Sequence, residues 1–153
     1  MQTLHVPPGR WPAQRGSAIV ELTLLVPLFL LMLVGTIDFA RVFYTALAVS
    51  QAARAGVQYG AQSNEKSKDT AGMQRVAQTA ALEDIGTLST LTAGNYCQCA
   101  DRIKVDCLAG TCPEGSPQIY VIVTAGKVFE TLWHYPGIPH AVALSRTAIM
   151  RVQ

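Results

Sequence analysis

A single glutamate, Glu21, stands at the start of a long apolar run, five places after Gly16. No charged side chain occurs over residues 22–37, and the charges that precede the run are the basic Arg10 and Arg15. An ionised carboxylate costs about 2.5 kcal/mol or more at the middle of a bilayer, and less near its surface. A charge kept in such a place usually has a partner, so Glu21 is a candidate for ion pairing.

The peptide bond between Gly16 and Ser17 is a second candidate site of chemistry. Cleavage there would create an α-amino group on Ser17, with a reference pKa of roughly 7.7–8.0. That amine could pair with Glu21 of a neighbouring chain as the helices pack in register. Because a missing partner is strongly penalised in a low dielectric, the pair would check the register of assembly. The order of glycine, glutamate and apolar helix resembles the pattern of prepilins, and this resemblance implies that Gly16 and Ser17 are a processing site and Glu21 a register residue.

Two other interpretations of the apolar run compete with this one. An ordinary single-pass anchor explains the run but gives Glu21 no purpose. A removable secretory signal requires small residues just after its apolar core. The tripeptide A-L-A at 46–48 has that form, but it lies beyond the charges of Asp38 and Arg41. Cleavage after Gly16 accounts for both the glycine and the glutamate.

Four cysteines fall close together, within residues 97–112. They are Cys97, Cys99, Cys107 and Cys112. Two structural disulfides are expected, since clustered cysteines downstream of a membrane segment indicate an oxidising compartment. A zinc site is the sharper alternative, and the oxidising location argues against it. All three pairings remain open, although Cys97 and Cys99 are too close in sequence to prefer each other.

Composition and charge exclude several functional classes. Charged residues make up 14% of the 153 residues, against about 25% in an average soluble chain. The net charge of +2 is too small for a nucleic-acid surface. No nucleophile elbow or Gly-rich phosphate loop is present, and neither His134 nor His140 has a carboxylate nearby in sequence to orient it. We predict no catalytic residue, no metal, no cofactor and no small-molecule substrate.

The apolar run is predicted to continue as one helix over residues 17–62, since no turn signal interrupts residues 38–62. Pro27 should bend or locally melt this helix, although membrane helices tolerate proline. Three aromatic residues follow the run, where an interfacial belt is expected: Phe39, Phe43 and Tyr44. Small residues then recur every four positions, so another backbone can approach closely, in a filament or within the chain's own domain. These are Ala48, Ala52, Gly56 and Gly60.

The remaining residues, 63–153, predict a small outer domain. A second helix is expected over residues 70–85, with Asp69 as its N-cap and Gly86 as its stop. Strands are expected near 102–107, at 118–125 and at 141–152, with loop in the rest of 87–118. The predicted fold class is α+β: a long N-terminal transmembrane helix extends into a disulfide-stapled domain. In that domain the helices cover one face of an antiparallel sheet of about three strands.

Residues 15–62 resemble the TadE-like family, the pseudopilins or minor pilins of tight-adherence (Flp-type) pilus systems. The resemblance lies in the block R-G-S-A-I-V-E-L-T-L-L-V-P-L-F-L-L-M-L-V-G-T-I-D-F-A-R and in the A-V-S-Q-A-A-R-A-G-V-Q-Y-G-A stretch that follows it. A glycine followed at the fifth position by glutamate and then an apolar helix is the prepilin pattern. Leu22 departs from the family, which more often has phenylalanine after the glutamate.

This resemblance implies a minor pilin inserted in the bacterial inner membrane, cleaved after Gly16 and incorporated into a pilus. Its expected partners are a prepilin peptidase, sister pseudopilins, the assembly platform and the lipid bilayer, and no nucleic acid. The basic residues before the run place a leader, residues 1–16, in the cytoplasm. Residues 17–62 then form the membrane and extended helix, and residues 63–153 the extracytoplasmic domain. The alternative is a permanently anchored envelope protein whose disulfide-stabilised outer domain binds a ligand or partner.

Overall fold

The computed structural model describes residues 17–133, 137 and 139–153. Its elements are α1 (Ser17–Gly60), a 3-10 turn (Lys66–Lys68), α2 (Thr70–Ile85), β1 (Thr90–Gln98), β2 (Lys104–Val105), β3 (Gln118–Glu130) and β4 (Ala141–Arg151). The predicted α+β class is confirmed. The leader, including Gly16, lies outside the described residues.

The chain divides between Ile37 and Asp38 into two compact units. We call residues 17–37 the apolar segment, which is the described part of the first unit. We call residues 38–153 the folded unit, which contains the rest of α1, α2 and the four strands. The two units are described separately below.

The apolar segment is helical throughout and carries exposed apolar side chains around its surface. The helix continues through Pro27 without interruption, so the local melting considered for this position does not occur. The hydroxyl of Thr36 donates to the carbonyl of Met32 at 2.8 Å. Such a bond satisfies a polar side chain inside the helix, which suits a surface that has no water to bind.

β3 is a central strand of the folded unit, in a sheet of order β2-β1-β3-β4 whose neighbours are all antiparallel. Val121, Val123 and Ala125 alternate along β3 and are completely buried on one face, as the two-residue period of a strand requires. Val57 of α1 and Met73 of α2 pack with these valines in the core. Both helices therefore cover one sheet face, as the sequence predicted.

The sheet contains one strand more than the sequence indicated. Residues 87–118 were expected to be mostly loop, but β1 occupies part of them and pairs with β3 from Thr90↔Gly126 to Gln98↔Gln118. The β1 sequence, T-L-T-A-G-N-Y-C-Q, includes alanine, glycine and asparagine, which strands disfavour. β1 forms because β2 and β3 supply hydrogen-bonding partners on both of its sides.

Two other strands differ in length from the prediction. β3 extends past residue 125 to Glu130, because β4 pairs along it as far as Glu130↔Ala141. β2 is shorter than residues 102–107. Arg102 has the left-handed φ of 67° before it, and after it the Asp106 carboxylate accepts the N–H groups of Leu108 and Ala109. These N–H donors lower the pKa of Asp106.

The α2 helix has the bounds and caps that its sequence predicts. The Asp69 carboxylate accepts the N–H of Gly72 at 2.8 Å, which satisfies one of the free donors at a helix start. Its other oxygen accepts the hydroxyl proton of Tyr59 at 2.9 Å. The helix ends at Gly86, where φ is 73°, a conformation that glycine adopts without strain. α1 ends at Gly60, two residues before its predicted end at 62.

The small residues of α1 lie inside the folded unit. Ala48, Ala52, Gly56 and Gly60 are all buried. A Cβ on Gly56 would lie 3.0 Å from the Met73 carbonyl oxygen and 3.2 Å from Val123 Cγ1. Of the two uses left open for this ridge, close approach within the chain's own domain is the one observed.

The cysteines form two disulfides, Cys97–Cys107 and Cys99–Cys112. Both bonds start near the end of β1, where Cys97 and Cys99 are buried. They close segments with sequence separations of 10 and 13 residues, for which chain entropy gives about 3 kcal/mol each. The disulfides hold a connection of glycine, proline and polar residues to the edge of the sheet.

The α2 cap generates a pH-dependent prediction. Because hydrogen bonds from Gly72 and Tyr59 lower the pKa of Asp69 below its ordinary 3.8, the unfolded state binds more protons in this range. The stabilisation by Asp69 is therefore present above about pH 4 and is lost as pH falls through the lowered pKa.

Asp69→Ala should lower Tm at pH 7 and show a smaller fall in Tm below pH 4 than the parent. Asp69→Asn, which retains a capping oxygen, is the matched control. An Asp69→Ala protein with the parent's Tm at pH 7 would contradict the cap's role.

The packing at Gly56 generates a second prediction. Gly56→Ala should lower the free energy of unfolding by up to about 2 kcal/mol, since overpacking costs about 1–3 kcal/mol and alanine's helix propensity returns roughly 1 kcal/mol. Unfolding can be followed in detergent by near-ultraviolet circular dichroism, which senses the stacked Tyr96 and Tyr120 rings. Gly35→Ala is the control, because a Cβ there meets no atom within 4 Å. Equal stability of the two variants would mean that the Gly56 contact tolerates a methyl group.

Candidate functional site

Glu21, the predicted register residue, lies in the second turn of α1, whose first residue is Ser17. Its side chain is exposed on the helix surface, as are those of the neighbouring Val20 and Leu22. A carboxylate on an apolar helix surface is costly in lipid and is stabilised by a nearby cation. The structure thus places Glu21 one turn from the predicted new N-terminus, while Gly16 lies outside the described residues.

The helix that carries Glu21 is long and apolar enough to cross a membrane by length and composition. It is the one such helix within the described ranges, and the side chains of its most apolar stretch are unburied. Lipid suits this surface, because transfer of apolar side chains from water to hydrocarbon is favourable in free energy. The helix therefore fits a membrane anchor.

Asp38, the first charge after the apolar segment, makes contacts that the sequence did not predict. Its carboxylate oxygens accept the backbone N–H of Leu132 at 3.1 and 3.2 Å. Arg41 donates to the same carboxylate at 3.0 Å, and only 6% of the Asp38 side chain is exposed. The i,i+3 pair is readable from sequence, but the contact with Leu132 joins residues 94 positions apart.

Arg41 extends this attachment to the sheet. Its guanidinium carbon lies 5.2 Å from the centre of the Phe129 ring, a cation–π distance. Phe129 is buried near the end of β3. Asp38 and Arg41 together therefore hold the chain that leaves β3 against the helix of the same unit.

Further along the helix, the aromatic residues have different roles. Phe39 and Phe43 are exposed, as an interfacial belt requires. Tyr44 is also exposed, but its hydroxyl donates to Asp84 of α2 at 2.7 Å. Tyr44 thus joins the two helices in addition to flanking the apolar run.

The connection between β3 and β4 is closed at its base by Thr131 and His140. The N–H of Thr131 donates to the His140 carbonyl at 3.0 Å. The Thr131 hydroxyl lies 2.8 Å from the carbonyl oxygen of Trp133 and 2.9 Å from His140 Nδ1. Since a hydroxyl has one proton, donation to Trp133 requires His140 Nδ1 to be the donor in its own contact. His134 lies outside the described residues.

Among the described residues, no group of three or more histidine, cysteine, aspartate or glutamate side chains could hold a metal ion. The four cysteines form disulfides, so the zinc alternative considered for them is wrong. His140 lies beside Thr131 in a surface connection. The apolar segment offers apolar surface and the exposed carboxylate of Glu21, which are suited to association.

Comparison with known families supports the resemblance found in the sequence. The family model described as TadE-like protein matches residues 16–58. The match takes in both Gly16 and Glu21 and ends two residues before α1 does. Neither the curated proteins nor the solved structures contain a match to this chain. Over its long N-terminal helix, therefore, this chain is similar to TadE-like proteins.

Proposed function

We propose that this protein is a minor pilin or pseudopilin of a tight-adherence (Flp-type) pilus, held in the inner membrane before it is assembled. The observation that carries the proposal is the coincidence of the TadE-like match with α1. One part of that helix presents apolar side chains on all sides, and the other part belongs to the core of a folded unit. The apolar surface of such a subunit can contact lipid before assembly and the helices of neighbouring subunits after it.

The proposed processing step is hydrolysis of the peptide bond between Gly16 and Ser17 by a prepilin peptidase. The products are a leader ending in a carboxylate and a mature chain beginning with the Ser17 amine. This amine is charged near neutral pH. In the assembled filament it pairs with Glu21 of an adjacent subunit, so that misaligned helices leave a carboxylate desolvated without its counter-charge.

The burial of the α1 small residues restricts which surface contacts sister subunits. Gly56 and Gly60 already contact α2 and β3 of their own chain, so the filament contact uses the exposed apolar surface before Asp38. That surface includes large side chains such as Leu24, Phe29 and Leu31. Sister pseudopilins and the assembly platform are its proposed partners, with the bilayer as its initial surroundings.

The proposed orientation follows from charge and redox chemistry. The basic leader residues Arg10 and Arg15 favour a cytoplasmic N-terminus. Disulfides persist in oxidising compartments outside the cytoplasm, and both lie in the folded unit. The same two disulfides also suit the second candidate function, a permanently anchored envelope protein whose outer unit binds a ligand or partner. That candidate predicts an intact leader and no dependence on pilus machinery.

The processing step predicts a defined mature N-terminus. Protein purified from cells that contain the pilus machinery should begin at Ser17 when its N-terminus is sequenced. Its intact mass should equal that of residues 17–153. Protein made in cells without a prepilin peptidase is the control and should retain the leader. Retention of the leader in both strains would favour the permanently anchored alternative.

The register role predicts that Glu21→Ala blocks incorporation into pili and leaves membrane insertion intact. The measurement compares the protein in sheared pili with that in the membrane fraction. Glu21→Gln is the matched variant, since it retains the shape of the side chain and removes its charge, and it should fail in the same way. Glu65→Ala, at an exposed position of the folded unit, should assemble normally. Normal pilus incorporation of Glu21→Ala would overturn the register role.

A further inference from the structure

Leu132 and Trp133 form an exposed apolar pair directly after β3. Their side chains are 61% and 67% exposed. Their backbone is held in place: Leu132 donates to Asp38, and the carbonyl of Trp133 accepts from Thr131 at 2.8 Å. The pair is therefore presented by a fixed backbone.

The attachment to Asp38 determines the depth at which this pair lies. Residues 22–37 carry no charge, and Asp38 is the first charged residue after them. If α1 spans the bilayer, Asp38 marks the level at which the helix leaves the hydrocarbon. A 3.1 Å hydrogen bond from the Leu132 N–H to this carboxylate puts the backbone of Leu132 beside Asp38, and Trp133 is the next residue. Phe39, which follows Asp38, is 74% exposed there.

The Asp38–Arg41 pair at this level is compatible with contact to lipid headgroups. The Asp38 carboxylate is largely shielded by Arg41 and by the Leu132 N–H, so its charge does not oppose approach to a membrane. The Arg41 side chain remains 44% exposed and can face lipid phosphate. Tryptophan prefers the headgroup layer because its ring is apolar and its N–H can bind water or lipid oxygen.

We propose that Leu132 and Trp133 insert into the headgroup layer of the bilayer and seat the folded unit on the membrane surface. The occupant of this apolar surface is lipid, continuous with the lipid around α1. The inference rests on the proposed function in one respect, which is that α1 spans the membrane. This seat, the contact of Leu132 and Trp133 with the headgroup layer, adds a second lipid contact to that of the helix. Both contacts are broken when the subunit leaves the bilayer.

Tryptophan fluorescence tests the seat directly, because the chain has two tryptophans, Trp11 and Trp133. The full chain with Trp11→Phe is reconstituted in phosphatidylethanolamine–phosphatidylglycerol vesicles with lipids brominated either near the headgroup or near the acyl end. Trp133 should be quenched at least about twofold more by the shallow bromines, since tryptophan anchors at the interface. Trp133 that is quenched by aqueous iodide and by neither lipid would overturn the proposal. Trp133 shielded from iodide yet quenched by neither lipid would lie against protein, and would also overturn it.

Two control chains distinguish failure of this membrane contact from failure of the proposed function. In each chain Trp11 and Trp133 are replaced by phenylalanine, and one new tryptophan is introduced at a reference position. Phe29→Trp lies in the apolar run and should be quenched more by the deep bromines. Leu108→Trp, at a position 94% exposed beside Cys107, should be quenched by iodide alone. Absence of deep quenching at Phe29→Trp would overturn both membrane insertion and the seat. Deep quenching there with no lipid quenching of Trp133 would overturn the seat alone.

Asp38 variants test whether the attachment sets the depth of Trp133. In the Trp11→Phe chain, Asp38→Ala should lower the shallow quenching of Trp133 at least about twofold, because Leu132 loses its acceptor. Asp38→Asn retains an acceptor oxygen for the same N–H and should preserve most of the quenching. Equal quenching in both variants, with the Tyr96 and Tyr120 circular dichroism signal intact, would contradict the positioning role of Asp38.

Discussion

The whole structure depends on one helix that must satisfy two different surroundings. Over residues 18–37 the α1 surface is mostly apolar and exposed, which suits lipid or other apolar helices. Beyond Asp38 the same helix contributes Val49, Ala53 and Val57 to protein core. Backbone hydrogen bonds within a helix are independent of the surroundings, so one continuous element can serve both. The change of side-chain type along α1 is what separates the two units.

The core of the folded unit is built by close approach. Alanine and glycine on α1 meet Met73 and Ala77 of α2 and the valines of β3, so three backbones come near one another. Small side chains bury little apolar area per residue, and the unit compensates in other ways. Asp69 caps α2, and two disulfides hold the end of β1 to the polar connection that follows it.

Asp38 and Glu21 illustrate how carboxylates on the same helix can have two different roles. Asp38 is buried, its charge is balanced by Arg41, and its remaining acceptor capacity binds the backbone of Leu132. That carboxylate is part of the internal structure. Glu21 lies on an exposed helix surface, where the proposed function gives it a role between subunits. Both residues carry a carboxylate, and they differ in the groups that the fold brings to it.

The sequence by itself determined the features that depend on neighbouring residues. These are the long apolar helix, the bounds and caps of α2, the positions of β3 and β4 and the TadE-like pattern around Gly16 and Glu21. Helix periodicity and capping act within a few residues, so they can be read locally. The presence of disulfides was also readable, because clustered cysteines and a membrane segment indicate an oxidising compartment.

Tertiary structure alone decided the features that join distant parts of the chain. β1 forms from a weak strand sequence because β2 and β3 flank it. The choice among three cysteine pairings follows the position of Cys97 and Cys99 at the end of that strand. The bond from Leu132 to Asp38 and the burial of Gly56 likewise require partners far away in sequence. Strand pairing and close packing depend on which surfaces meet, and local propensity carries no information about that.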